Sequence, residues 1–145
     1  MKHSCGFIIK SMNKYLICHP YGSSWKNGSW TIPKGKKEES ESNIDTAIRE
    51  VKEETDIDIN KKKGKILYLG TYEYDKIDKK LTIFLFLSEE DLTKDKLTCK
   101  SLIKEGKNKS KPEIDYFKWV YLEEAIDKLN KVTTKALIKT KNFYI

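Results

Sequence analysis

Three glutamates in one short segment carry the clearest chemical signal in the sequence. Glu50, Glu53 and Glu54 stand at positions i, i+3 and i+4, so a helix would place their carboxylates on one face. Like charges this close repel each other, and a hard divalent cation that prefers oxygen ligands, Mg²⁺ or Mn²⁺, would neutralise them. Considered alone, the segment is more typical of a solvated acidic face, in which Arg49 and Lys52 soften the repulsion.

The glutamates need a helix to position them, and the surrounding pattern predicts one. Ser42 followed by Asp45 resembles a capping box with a shortened acid, which would begin the helix. The residues that recur at helical spacing, and that we expect to face a core, are Ile44, Ala47, Ile48, Val51 and Thr55.

A polar loop over residues 34–41 leads into this helix. Gly35 lets the backbone approach a ligand closely, so that its carbonyl oxygen can join a metal site built on the helix. Glu41 precedes Arg49 by about 12 Å of helical rise, so a contact between them requires Glu41 to fold back and would tie the loop to the helix. Two independent surface charges are the alternative. Lys34 has two interpretations: it contacts a phosphate beside the metal site, or it is a solvated lysine of the loop.

The loop and helix together resemble the Nudix box, GX5EX7REUXEEXGU, in which U is apolar. Eight of its nine specified positions match, namely Gly35, Glu41, Arg49, Glu50, Val51, Glu53, Glu54 and Ile57. The departure is Asp56, which stands where the family usually has a glycine that ends the helix in a left-handed conformation. Aspartate tolerates this conformation less well than glycine, so we expect a small stability cost and no loss of metal ligands.

The resemblance extends beyond the box to His19-Pro20, Trp25 and the run from Trp30 to Gly35. These residues resemble a bacterial group of predicted Nudix nucleotide pyrophosphohydrolases, and the run also resembles diadenosine tetraphosphate hydrolases. The family implies an α/β fold, an α/β/α sandwich with a mixed central sheet, in one domain over residues 1–145. It also implies Mg²⁺-dependent (or Mn²⁺-dependent) hydrolysis of a diphosphate linkage in a nucleoside diphosphate derivative.

The resemblance also assigns roles to residues. Glu50, Glu53 and Glu54 would bind the metal, with the carbonyl oxygen of Gly35. Glu113, six residues before Trp119, would be a further ligand or the general base; its alternative is a loop glutamate paired with a lysine. Either Glu53 or Glu113 would take the proton from water, and the contact between Glu41 and Arg49 would support catalysis.

Aromatic residues are candidates for stacking on a nucleobase. Tyr72, Tyr74, Tyr116 and Phe117 are these candidates, and Tyr72 and Tyr74 share one face of a predicted strand. Core packing is the more common fate of such residues. Trp30 and Trp119 are interpreted as core residues, and His3 and His19 as structural.

The remaining pattern predicts a mixed α/β chain. Strands are expected over residues 4–10, 15–19, 65–74, 80–88 and 117–121, and a helix over 123–129. Residues 104–112, charged and turn-rich, are predicted to form a mobile loop. A final helix would be capped by Thr133 or Thr134, with Ala136, Leu137 and Ile138 facing inward.

Composition bounds the partners. The chain has 145 residues and a net charge of +7, which favours polyanions, although a general bias toward lysine would have the same effect. Three unpaired cysteines argue against a disulfide framework and a zinc site, and indicate a cytoplasmic protein. The N-terminus resembles neither a signal peptide nor a membrane span.

Three functions compete. The first is hydrolysis of a small nucleotide, namely a dinucleoside polyphosphate or a nucleoside triphosphate. The second is an RNA 5′-end pyrophosphohydrolase, motivated by the net charge and by lysine clusters at residues 61–63 and 104–111. The third is a non-catalytic nucleotide-sensing module, against which the intact box glutamates argue. The sequence leaves the oligomeric state open.

Overall fold

The computed structural model describes residues 1–105 and 109–143, and its centre is a six-stranded mixed sheet. The strands of this sheet are β1 (Lys2–Ser11), β2 (Lys14–Pro20), β3 (Lys34–Lys36), β4 (Gly64–Glu73), β5 (Lys79–Ser88) and β8 (Ile114–Val120). Two further strands, β6 (Leu102–Glu105) and β7 (Lys109–Pro112), pair with each other. The helices are α1 (Asn43–Thr55), α2 (Leu122–Lys128) and α3 (Lys131–Lys139).

Strand β1 organises the sheet, whose order is β4-β5-β1-β2-β8. It runs parallel to β5 along most of its length and antiparallel to its other partners, so the sheet is mixed. It pairs with β2 only beside their hairpin and with β3 only near its start, from Ser4 to Gly6. The strands therefore diverge where β3 enters, and this divergence holds the beginning of the box against β1.

Two cores lie on opposite faces of the sheet. On one face, Phe7 and Ile9 of β1 pack with Ala47 and Val51 of α1. On the other face, Ile8 of β1 belongs to a cluster that includes residues of α2 and α3. Successive side chains of β1 thus point alternately into the two cores. The predicted α/β/α sandwich is confirmed.

Local residue types explain the backbone at three points. Met12 and Asn13, which join β1 to β2, both have positive φ (52° and 62°), as a type I′ turn requires. The side chain of Ser42 caps α1 by accepting a hydrogen bond from the Asp45 amide at 3.2 Å. At the other end Asp56 takes the left-handed conformation, with φ 71°, and its amide donates to the Lys52 carbonyl.

Three predictions about local structure are wrong. Residues 34–36 form β3 rather than loop, because β1 supplies a backbone partner that no local pattern reveals. The predicted loop at 104–112 contributes to the β6–β7 hairpin, apart from residues 106–108, which lie outside the described residues. Asn130 rather than Thr133 or Thr134 caps the last helix. Ala136 and Leu137 are buried as predicted, whereas Ile138 is 57% exposed.

Within residues 1–105 and 109–143, no helix is both long and apolar enough to span a membrane.

Candidate active site

Helix α1 carries two of its three glutamates into the protein. Ala47 and Val51 are fully buried against the sheet, and Glu50 and Glu54 lie beside them with only 7% and 3% of their surface exposed. The side chain of Glu53, by contrast, is 42% exposed. The face shared by the three carboxylates therefore runs from the core boundary to solvent.

Burial makes the inner carboxylates reluctant to carry charge. Loss of solvation, together with the neighbouring Glu53, raises the pKa of Glu50 to about 8. The pKa of Glu54 is raised well above its ordinary value, again chiefly by burial, and the nearby carboxyl groups of Glu113 and Glu50 add to the increase. Oε2 of Glu50 is buried without a hydrogen-bond partner. Such an atom is costly unless a ligand binds it.

Gly35 lies directly against this unpartnered carboxylate. Its pairing with Cys5 of β1 fixes the backbone there, and a Cβ atom at position 35 would collide with the carboxylate of Glu50. The neighbouring amide of Lys34 donates a hydrogen bond to Oε1 of Glu54 at 3.2 Å. Glycine is therefore required by close approach to the Glu50 carboxylate, whereas the sequence suggested close approach to a ligand. The loop and helix meet at the carboxylates.

Glu41 and Arg49 form the contact that would tie the loop to the helix. Nε and Nη2 of Arg49 donate to the two carboxylate oxygens of Glu41 at 2.7 and 2.9 Å, a bidentate pair. Nη2 also donates to the Lys36 carbonyl at 3.1 Å. The hydrogen bond from Arg49 is the largest of the influences that lower the pKa of Glu41 to about 2. We call this pair the latch.

The donor set fits a hard divalent cation, although the side chains do not form a finished cage. Among residues 1–105 and 109–143, no group of three His, Cys, Asp or Glu side chains is arranged as a ready metal site. Instead Nη1 of Arg49 lies 3.4 Å from Glu50 and 3.1 Å from Glu53. The ligands available are carboxylate oxygens, one of them buried and unpartnered, which is the chemistry that Mg²⁺ or Mn²⁺ prefers.

Lysines border the site on the side of β3. A cavity of about 900 Å³ opens there, whose walls contain Lys2, Lys36, Lys37 and Lys79 together with the acidic residues Glu38, Glu39 and Asp78. The pKa of Lys79 is lowered by burial and then by the positive charges of Lys34 and Lys2. Lysines that repel one another in this way favour an anionic ligand. The sequence suggested Lys34, but Lys2 and Lys79 come close to it only through the parallel pairing of β1 and β5.

The predicted stacking residues are spread over both faces of the sheet. Tyr72 and Tyr74 pack against the core that faces α2 and α3. The Tyr72 hydroxyl donates to the Leu69 carbonyl at 2.8 Å, and Nζ of Lys79 lies 5.1 Å from the centre of the Tyr74 ring. Phe117 packs against the core that faces α1. Tyr74 thus borders the lysines, whereas the structure brings neither Tyr72 nor Phe117 into the carboxylate group.

Glu113 joins the carboxylates although it is distant in sequence. It directly precedes β8, and its backbone carbonyl accepts a hydrogen bond from the Tyr21 amide at 2.8 Å. Its own amide donates to the Ser101 carbonyl at 2.8 Å, and the amide of Ser101 donates to the Glu53 carbonyl at 3.2 Å. These backbone bonds place Glu113 beside the end of α1.

Known proteins resemble both the sequence and the fold. The NUDIX domain model matches residues 4–140. An 8-oxo-dGTP diphosphatase of Proteus vulgaris is 30% identical over 67% of this chain and 86% of its own length. The mRNA-decapping enzyme subunit 2 of Arabidopsis thaliana is 51% identical over 37 residues, which are 26% of this chain but only 10% of that protein. An Ap4A hydrolase of C. elegans superposes with a TM-score of 0.67 at 21% identity, covering 96% of this chain and 94% of its own.

Proposed function

The chain belongs to the Nudix family of pyrophosphohydrolases, and we propose that it hydrolyses a diphosphate linkage in a nucleotide with Mg²⁺ (or Mn²⁺) held by its box carboxylates. Glu50, Glu53 and Glu54 would hold the cation, with the Gly35 carbonyl and Glu113 completing the set. One observation carries the proposal: Glu50 and Glu54 are buried with raised pKa values, and Oε2 of Glu50 has no partner. Such carboxylates destabilise the fold unless a cation compensates them.

The residues around the carboxylates then have separate tasks. A bound Mg²⁺ supplies neutralisation of phosphate charge and activates water for attack on phosphorus. Either Glu53, whose side chain is 42% exposed, or Glu113, beside Glu54, takes the proton from that water. The latch between Glu41 and Arg49 fixes the loop that carries Gly35, and so holds the reacting groups in position.

Lysines on the β3 side give the phosphates of the substrate a place to bind. Lys34 lies closest to the carboxylates, and Lys79 and Lys2 extend the positive surface from it. A substrate with several phosphates could contact the carboxylate site and these lysines together. This geometry, with relatives named for 8-oxo-dGTP and Ap4A, supports a nucleoside triphosphate or a dinucleoside polyphosphate as substrate.

A second candidate function is removal of phosphates from an RNA 5′ end. The similarity to a decapping subunit covers 37 residues and motivates it, as does the net charge of +7. The lysines at 61–63 are described, whereas the cluster at 104–111 falls partly outside the described residues.

We take residues 1–145 as one Nudix domain of the cytoplasm, a location that three free cysteines favour.

A hydrolysis screen with Mg²⁺ tests the proposal. The panel holds nucleoside triphosphates including 8-oxo-dGTP, dinucleoside polyphosphates, nucleotide sugars, and triphosphorylated or capped RNA. We expect metal-dependent cleavage that is greatest for a small nucleotide and is lost in Glu53→Gln, whereas Glu123→Gln on α2 serves as a matched control. A preference for RNA would select the second candidate. Nucleotide binding without cleavage of any compound would indicate a sensing module and contradict the proposal.

A further inference from the structure

Four rings gather where β2 ends and β8 begins, and we call them the aromatic cluster: His19, Trp25, Trp30 and Tyr116. The indole of Trp25 lies flat on the imidazole of His19, with ring centres 3.5 Å apart and planes 4° from parallel. Trp30 meets His19 edge-on at 5.1 Å, and Tyr116 meets Trp25 edge-on at 6.1 Å. The sequence pattern assigned His19 and Trp30 to structure and gave Trp25 no role.

The cluster has a buried base and an exposed upper surface. His19 and Trp30 are 1% and 4% exposed, whereas Trp25 and Tyr116 are 58% and 52% exposed. Large aromatic side chains gain most from burial, so two that stay at the surface over a packed base are unusual as core residues. Their exposed area is therefore available to a flat apolar ligand.

Hydrogen bonds fix the ring on which Trp25 rests. Nδ1 of His19 lies 2.6 Å from the carboxylate of Asp115, and Nε2 lies 3.0 Å from the Ser24 carbonyl. A register shift in the pairing of β2 with β8, between His19 and Pro20, skips Asp115 and allows it to face His19. The indole thus lies on a support that is already ordered, so its side chain loses little further conformational entropy when a ligand stacks on it.

The backbone of the loop that carries Trp25 is also anchored. The Gly28 amide is shared between the carbonyls of Asp127 and Lys128, at 3.0 Å each, and the Trp30 amide donates to Lys128 at 3.0 Å. These bonds attach the loop to the end of α2. The Trp25 ring consequently rests on His19, and the loop that carries it is attached to α2 through the backbone of Gly28 and Trp30.

The same strand connects the aromatic cluster to the carboxylates. Glu113 directly precedes β8, and Tyr116 follows it by three residues, about 10 Å along an extended strand at roughly 3.3 Å per residue. The amide of Tyr21, two residues after His19, binds the Glu113 carbonyl at 2.8 Å. A ligand with phosphate at one end and a flat ring at the other would contact both places.

We propose that Trp25 and Tyr116 form a nucleobase-stacking subsite, which binds the base of a nucleotide whose phosphates lie at the box carboxylates. The proposal rests on the proposed function for its phosphate end. Every nucleobase has a π face, so stacking here selects for the presence of a base more than for its identity. His19 and Asp115 are positioning residues that hold the indole plane.

Binding of AMP, GMP and UMP, each with Mg²⁺, tests the subsite against ribose 5-phosphate, which carries the same phosphate and sugar without a base. We expect the three nucleotides to quench tryptophan fluorescence and ribose 5-phosphate to leave it unchanged. Trp25→Phe should abolish most of the quenching while it retains affinity, because Trp25 is 58% exposed, whereas Trp30 is buried and Trp119 is partly buried. Trp25→Ala should raise the Kd for AMP roughly tenfold to a hundredfold.

Tyr121 provides a matched control, because it is 59% exposed and outside the cluster. Tyr116→Ala should weaken AMP binding, and Tyr121→Ala should not. Unchanged AMP affinity in both Trp25→Ala and Tyr116→Ala, equal binding of ribose 5-phosphate, or no binding of any nucleotide at millimolar concentration would each overturn the subsite. If Trp25→Ala hydrolyses the substrate with an unchanged KM, the subsite is contradicted and the proposed function stands. If nucleotides quench the fluorescence but are not hydrolysed, the proposed function is contradicted and the subsite stands.

Discussion

Glu41 and Glu50 belong to the same box, yet their surroundings treat the two carboxylates in opposite ways. Both carboxylate oxygens of Glu41 accept hydrogen bonds from Arg49, and the pKa of Glu41 falls to about 2. Glu50 is buried beside other carboxylates, its pKa rises to about 8, and one oxygen has no partner. The latch is complete within the protein, whereas the inner carboxylates are incomplete. The difference separates the latch, which builds the site, from the inner carboxylates, which we propose bind the cation.

Glu54→Gln should have the largest effect on activity, because it changes one of the inner carboxylates. We expect activity to fall by roughly two to four orders of magnitude, since the variant loses a charged ligand. The metal-free protein should become more stable, because an amide is cheaper to bury than a carboxylate. Steady-state hydrolysis and thermal unfolding without metal measure the two effects. A variant that loses both activity and metal-free stability would mean that Glu54 is structural.

Gly35→Ala should come next. A Cβ at this position collides with the carboxylate of Glu50, so either β3 or that carboxylate must move. A displacement of about 1 Å near reacting groups costs roughly a hundredfold in rate. Gly28→Ala, in a loop where a Cβ meets nothing, controls for the general cost of replacing a glycine, although its φ of 83° adds strain. Full activity of Gly35→Ala would remove close approach as the reason for this glycine.

Arg49→Lys tests the latch and should reduce activity less than the two preceding substitutions. Lysine keeps the charge but cannot bind both oxygens of Glu41 or the Lys36 carbonyl at once. We expect roughly a tenfold loss in kcat with little change in Mg²⁺ affinity, because the latch positions the loop and binds no cation. Kinetics at several Mg²⁺ concentrations separate the two quantities. A loss that excess Mg²⁺ reverses would instead place Arg49 in cation binding.

Asp56→Gly should have the smallest effect. Asp56 holds φ 71° at the end of α1, and glycine adopts this conformation without a Cβ penalty. We expect unfolding free energy to rise by about 0.5–1 kcal/mol with activity unchanged, despite loss of the exposed ion pair between Asp56 and Lys100. Denaturant unfolding and a hydrolysis assay measure both. Lower activity would show that this residue does more than end the helix.

Features that depend on local pattern could be predicted from the sequence, and features that depend on distant partners could not. Helix α1 and its cap at Ser42 follow from spacing and residue type, and the left-handed end at Asp56 was expected from the resemblance to the box. Strand β3 exists because β1 lies beside it, and Asn130 caps α3 only in the turn after α2. No periodic signal marks either one.

The same division runs through the candidate site. The carboxylates of α1 and the contact between Glu41 and Arg49 were accessible through the box, whose residues are close in sequence. Lys79 reaches Lys34 through parallel strand pairing, and Trp25 rests on His19 through a loop anchored to α2. A lone exposed tryptophan in a Gly- and Ser-rich loop was the available signal for the aromatic cluster, and it was not used.

Thermal unfolding with and without Mg²⁺ tests most directly the claim that the inner carboxylates need a cation. The folded pKa of Glu50 is about 8, against 4.5 when the group is unperturbed. Between these values the unfolded chain binds fewer protons than the folded one, so metal-free stability should fall as pH rises from 4.5 to 8. Mg²⁺ should restore it, with a larger increase in Tm at pH 8 than at pH 5. Glu50→Gln should lose part of this pH dependence, because the raised pKa of Glu54 supplies the rest. Equal Mg²⁺ effects at both values, or none in the wild-type protein, would contradict the account.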